Sequence, residues 1–105
     1  TVNGVDIYVL DAAVPATDAL RAIQAREGSY RPAVLITRSP RGGFNITSSN
    51  TKDVDLSKLK GMEGVTFAHP TGFMAVINAK DAKEAAEIAK RLIPYAVVKG
   101  PALKV

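Results

Sequence analysis

The sequence predicts a single α+β domain: one mixed, mostly antiparallel sheet with two or three helices packed on it. Three observations lead there. Turn-forming clusters at Ser39-Pro40-Arg41-Gly42-Gly43 and Pro70-Thr71-Gly72 each separate two short apolar runs, the pattern of a β-hairpin. Two stretches, opening near Pro15 and at Asp81, repeat apolar residues at helical spacing. The 105 residues, 47% hydrophobic and 23% charged, are enough for one modest core. The predicted order is β-α-β-β-α-β-β-α-β, with no linker, low-complexity tract or internal repeat.

Val5-Asp6-Ile7-Tyr8-Val9-Leu10 is rich in β-branched and aromatic residues and reads as the first strand. Pro15 and Thr17 open a helix, with Thr17 as the expected N-cap, Asp18 in the first turn and Gly28 at the left-handed C-terminal position. Ala16, Leu20 and Ile23 share one face of it. A strand from Ala33 to Thr37 pairs through the Ser39–Gly43 turn with Phe44-Asn45-Ile46-Thr47-Ser48, which alternates apolar and polar residues. Asp53 to Lys60 has acids leading lysines and leucines three apart, so a short helix is expected there.

Val65 to His69 and Phe73 to Ile77 are the next two strands. Asp81 and Glu84 form a capping-box pattern ahead of a stripe of Ala85, Ile88, Ala89 and Leu92. Lys83–Glu87 and Glu87–Arg91 have ion-pair spacing, and Pro94 ends the helix. Tyr95 to Lys99 is expected to be an edge strand.

Several chemistries lack their residues. Without cysteine there is no thiolate nucleophile, disulfide or Cys-ligated zinc, and a reducing cytoplasm is the expected setting. One histidine and scattered acids give no metal-ligand spacing, so no cofactor is expected in this chain. Neither a G-x-S-x-G elbow nor a phosphate-binding glycine loop is present. No apolar run approaches the ~20 residues of a membrane span, and no membrane partner is expected. The net charge of +4 leans towards an anionic partner, although it also serves solubility. The chain opens on Thr1 and not Met, which is expected to mark an internal cut in a longer protein.

Three constellations are candidate binding elements. In Phe67-Ala68-His69-Pro70-Thr71-Gly72-Phe73 an imidazole ends a strand at a sharp reversal. There His69, the Thr71 hydroxyl and backbone N–H groups exposed by Gly72 suit a phosphate oxygen or base edge. Thr47-Ser48-Ser49-Asn50-Thr51-Lys52 sets hydroxyls and a lysine before a helix start, where anions are favoured. Arg38 and Arg41 in the glycine-rich turn could clamp a phosphate backbone. Each also has a plainer use as a turn or cap. Phe44, Phe67 and Phe73 are assigned to the core, too few for a stacking platform.

Asn45-Ile46-Thr47-Ser48-Ser49-Asn50, Asp53-Val54-Asp55-Leu56-Ser57-Lys58-Leu59, the string Gly61-Met62-Glu63-Gly64-Val65-Thr66-Phe67-Ala68-His69-Pro70-Thr71-Gly72-Phe73 and the helix from Asp81 follow in a distinctive order. From Arg41 to Leu92 this order resembles the DHH-associated domain that follows the catalytic DHH domain in many phosphoesterases. Its Gly-x-x-Gly…Phe-x-His string is most similar to the Myg-type branch. The resemblance implies a module that binds a nucleotide or a short RNA or DNA phosphate for a DHH catalytic domain in cis. That absent domain would hold a divalent metal, Mn or Mg, and a homodimer is compatible. His69, Gly72 and the Thr47–Ser49 strand end match the family pattern. The family's phosphate-touching arginine falls at Ser48 or Ser49 here, so Lys52, Arg38 or Arg41 is expected to supply charge. A different reading takes Val5 to His69 as β-α-β-β-α-β, the order of a ferredoxin-like regulatory or dimerisation module.

Overall fold

The structure, a computed structural model, describes residues 5–10, 13–28, 32–40, 42–52, 54–93 and 96–98. Among them run β1 (Val5–Leu10), α1 (Ala16–Glu27), β2 (Ala33–Arg38), β3 (Phe44–Ser48), a 3-10 turn (Leu56–Leu59), β4 (Val65–Ala68), β5 (Met74–Ile77), α2 (Ala82–Leu92) and β6 (Ala96–Val98). The strands form one six-stranded sheet in the order β4-β5-β3-β2-β1-β6. β2, β1 and β6 are parallel, and β2, β3, β5 and β4 alternate antiparallel. The sheet is mixed, as the sequence predicts.

β1 is buried along its whole length because the helices lie on opposite faces of the sheet. On one face Val5, Ile7, Val9, Val34, Ile36, Phe44 and Ile46 pack beneath Ala85, Ile88 and Ala89 of α2 and beneath Leu56 and Leu59. This is the larger core. On the other face Tyr8, Leu10, Ala33 and Leu35 meet Leu20 and Ile23 of α1.

The ferredoxin-like arrangement is not formed. It requires a split β-α-β unit, whereas β1 here pairs directly and in parallel with β2. The middle helix is also shorter than expected, a single 3-10 turn. Leucines three apart fit three residues per turn, and Leu56 and Leu59 both point into the core.

Local capping explains most element ends. Asp81 accepts the Glu84 N–H at 2.8 Å, and Glu84 reaches back to the Lys80 N–H at 3.3 Å. The ion pair on this helix, among the described residues, is Lys80–Glu84 at 4.0 Å, not the Lys83–Glu87 and Glu87–Arg91 pairs suggested by spacing. Exposed pairs gain too little to order their side chains. α1 begins one residue before Thr17. Pro15, at φ −60°, is its N-cap and accepts the Ala19 N–H, so Thr17 lies within the first turn. Gly28 closes α1 at φ 67°, as expected. The Lys90 ammonium donates to the Ala96 carbonyl and ties α2 to β6. Pro94 lies outside the described residues, as do Tyr95 and Lys99 at the two ends of the predicted last strand. No helix among the described residues is long and apolar enough to cross a membrane.

Candidate functional site

The β4–β5 turn is built around His69. Its backbone N–H donates to the Met74 carbonyl at 2.9 Å, and its carbonyl accepts the Gly72 N–H at 2.9 Å, closing the reversal. The ring joins the same turn. Nδ1 accepts the Thr71 N–H at 3.2 Å and lies 2.8 Å from Thr71 Oγ1. A backbone N–H needs a lone pair at its acceptor, so neutral His69 carries its proton on Nε2. No described residue accepts from that Nε2–H. Thr71 therefore orients the imidazole, and its hydroxyl faces the ring and not an open cradle.

Gly72 has a different use from the one expected of it. Its N–H is spent on the turn, its carbonyl accepts from Leu56 N–H at 2.9 Å, and its φ is +84°. The space where a side chain would stand is filled by Asp55, whose Cγ would lie 3.0 Å from an added Cβ. Asp55 in turn caps the 3-10 turn, accepting from Ser57 N–H at 3.0 Å and Ser57 Oγ at 2.6 Å. The Ser57 hydroxyl, its N–H and then the nearby Lys58 charge hold the Asp55 carboxyl below its ordinary range.

The end of β3 reaches the same end of the sheet. Thr47 pairs with Met74, and Ser48 N–H donates to the Phe73 carbonyl at 2.8 Å. The hydroxyls there are already engaged or covered. Ser48 Oγ donates to the Val54 carbonyl at 2.8 Å and accepts the Asn50 N–H. Ser49 Oγ accepts the Ala33 N–H at 3.0 Å, and Thr47 is buried between Leu35 and Met74. The stretch 47–52 thus splices β3 to β2 and to the following loop.

The basic residues are dispersed. Lys52 lines a hollow of about 290 Å³ with Asp55, Lys58, Met62 and Leu92, and His69 is not in its walls. Arg38 sits over the Phe44 ring, 5.2 Å from its centroid, and pairs in register with Phe44. That is three residues from Thr47 along β3, about 10 Å, at the end of the sheet away from His69. Arg41 lies outside the described residues. Among the described residues no three His, Asp or Glu side chains converge, so these residues do not offer a metal seat.

Two side chains assigned to the core are instead on the surface. Phe44 is buried, but Phe67 is 49% and Phe73 43% exposed. They flank the imidazole, with ring centroids 6.2 Å (Phe67, edge-on) and 4.6 Å (Phe73, tilted) from that of His69. A β-bulge explains Phe67. Val65 pairs with Ile77 but Phe67 pairs with Val76, so the strand gains one residue and Phe67 changes face. Strict alternation from Val65 hides this; only the paired register reveals it.

Compared with protein-family models, with curated proteins and with solved structures, the chain matches none.

Proposed function

We propose that the chain is a cytoplasmic nucleotide- or nucleic-acid-phosphate binding module that positions substrate for a separate, metal-bearing phosphoesterase domain. The observation that carries this reading is the hydrogen bond from the Thr71 N–H to His69 Nδ1. With Nδ1 held by Thr71, the imidazole presents Nε2–H as an oriented donor, the group a phosphate oxygen requires. The net charge of +4 favours an anionic ligand, and the order of motifs from Arg41 to Leu92 supports the phosphoesterase setting.

In this reading His69 donates to the phosphate, Thr71 positions the ring, and Gly72 allows the turn to close against Asp55. The module's contribution is orientation, with hydrolytic chemistry and its Mn or Mg belonging to the other domain. Thr47, Ser48, Ser49 and Gly72 support the site's frame, and Lys52 and Arg38 are outside its ligand set.

Titration with short 5′-phosphorylated oligoribonucleotides at low salt tests it. His69→Ala should weaken binding about tenfold or more, the scale of a hydrogen bond to a charged group. Equal affinity of variant and wild type would remove His69 from the site.

A further inference from the structure

We propose that the half of the sheet that no described helix covers on the α1 side, across β3, β5 and β4, is a stacking surface for the bases of a single-stranded oligonucleotide. This rests on the phosphate-binding reading and narrows its ligand to a polynucleotide.

α1 covers β1 and β2 on its face of the sheet, and among the described residues no helix lies over the remainder of that face. There Asn45, Val76 and Phe67 form one cross-strand row. Thr47 and Met74 form the next, which the backbone bond from His69 extends to the turn. Thr47 is buried, but Asn45, Met74 and Val76 are half-buried and Phe67 is exposed, so the row through Phe67 is reachable. Three rings stand together at its margin: Phe67, His69 and Phe73. Nucleobases stack on such rings without regard to sequence, because every base has a π face.

The bulge is the second observation. An unbulged β4 continuing from Val65 would place Phe67 opposite Ala75 on the core face; the extra residue turns this large ring outwards instead. Bulges commonly re-aim a side chain beside functional sites and also disrupt an edge strand as a template for pairing. Thr66 Oγ1 reinforces it by donating to the Val76 carbonyl at 3.3 Å. The bulge therefore presents a ring while discouraging a second copy from adding a strand to β4.

Charge and shape fit a polynucleotide backbone. A hollow of about 290 Å³ runs along β4, lined by Lys60, Gly61, Thr66, Phe67 and Pro70 among others. Lys60 and Phe67 thus line one hollow, where a phosphate flanking a stacked base would lie. Asn45, between Thr37 and Val76, adds a polar amide to the same face, as base edges require and an obligate apolar dimer interface does not.

The test is fluorescence anisotropy of the full chain with a labelled single-stranded 8-mer, as RNA and as DNA. An abasic oligomer of equal length and inorganic polyphosphate serve as comparisons. Phe67→Leu, Phe73→Leu and His69→Gln are measured alongside; the leucines keep an apolar side chain and remove the π face. The proposal expects the abasic oligomer and the polyphosphate to bind at least tenfold more weakly than the intact strand. Each leucine variant should lose about five- to a hundredfold in affinity for the intact strand, and little for polyphosphate. If intact, abasic and polyphosphate ligands bind equally and only His69→Gln weakens them, stacking is overturned and phosphate recognition stands. If no phosphorylated ligand binds, both fall. Self-association that Phe67→Leu abolishes, without oligonucleotide binding, assigns the patch to a second copy and overturns the proposal.

Discussion

A methyl group at Gly72 has nowhere to go. The residue sits at φ +84° and the Asp55 carboxylate occupies the space a Cβ would need. Gly72→Ala should cost ~1–2 kcal/mol from the left-handed backbone alone. Displacement of Asp55 from its bonds to Ser57 should add to this. Urea unfolding measures it, and an unchanged midpoint would contradict the packing described here. The sequence makes the turn legible at Pro70-Thr71-Gly72, but not the reason for its glycine, because Asp55 lies seventeen positions away. The same limit applies to Thr71. Its hydroxyl is visible in the sequence; its engagement with His69 Nδ1 depends on the closed turn.

At the scale of elements, local rules served well wherever a signal was complete within a few residues. The β2–β3 hairpin and α2 are both as expected, and α2 carries its cap in the sequence. Asp81→Ala removes the acceptor of the Glu84 N–H and should destabilise the chain by about 1 kcal/mol. The urea midpoint should fall with its slope unchanged, since the surface exposed on unfolding is the same. A midpoint equal to the wild type would show that the cap contributes nothing. Two elements differ from the local pattern for identifiable reasons. Leu56 and Leu59 satisfy both helical periods, and the core accepts the shorter one. In β4 one extra residue moves Phe67 from the inner to the outer face, a change that periodicity cannot register.

Across the whole molecule, the sheet separates two groups of candidates that the sequence leaves side by side in a list. His69, Phe67, Phe73 and the end of β3 share one region, while Arg38 lies at the other end of the same strands. The mixed sheet was legible from the hairpins and the β1–α1–β2 stretch. Its order was not, because register between distant strands is set by packing of the two cores. The most direct measurement of the central claim is a ¹⁵N-resolved titration of the intact chain with a short 5′-phosphorylated oligonucleotide. Its single imidazole makes the ring signals unambiguous. In the free protein the neutral form of the ring should carry its proton on Nε2, and ligand should shift Nε2 and the backbone from Phe67 to Met74 while sparing Arg38 and Phe44. An unmoved imidazole, or shifts centred on the Arg38 turn, would contradict the account.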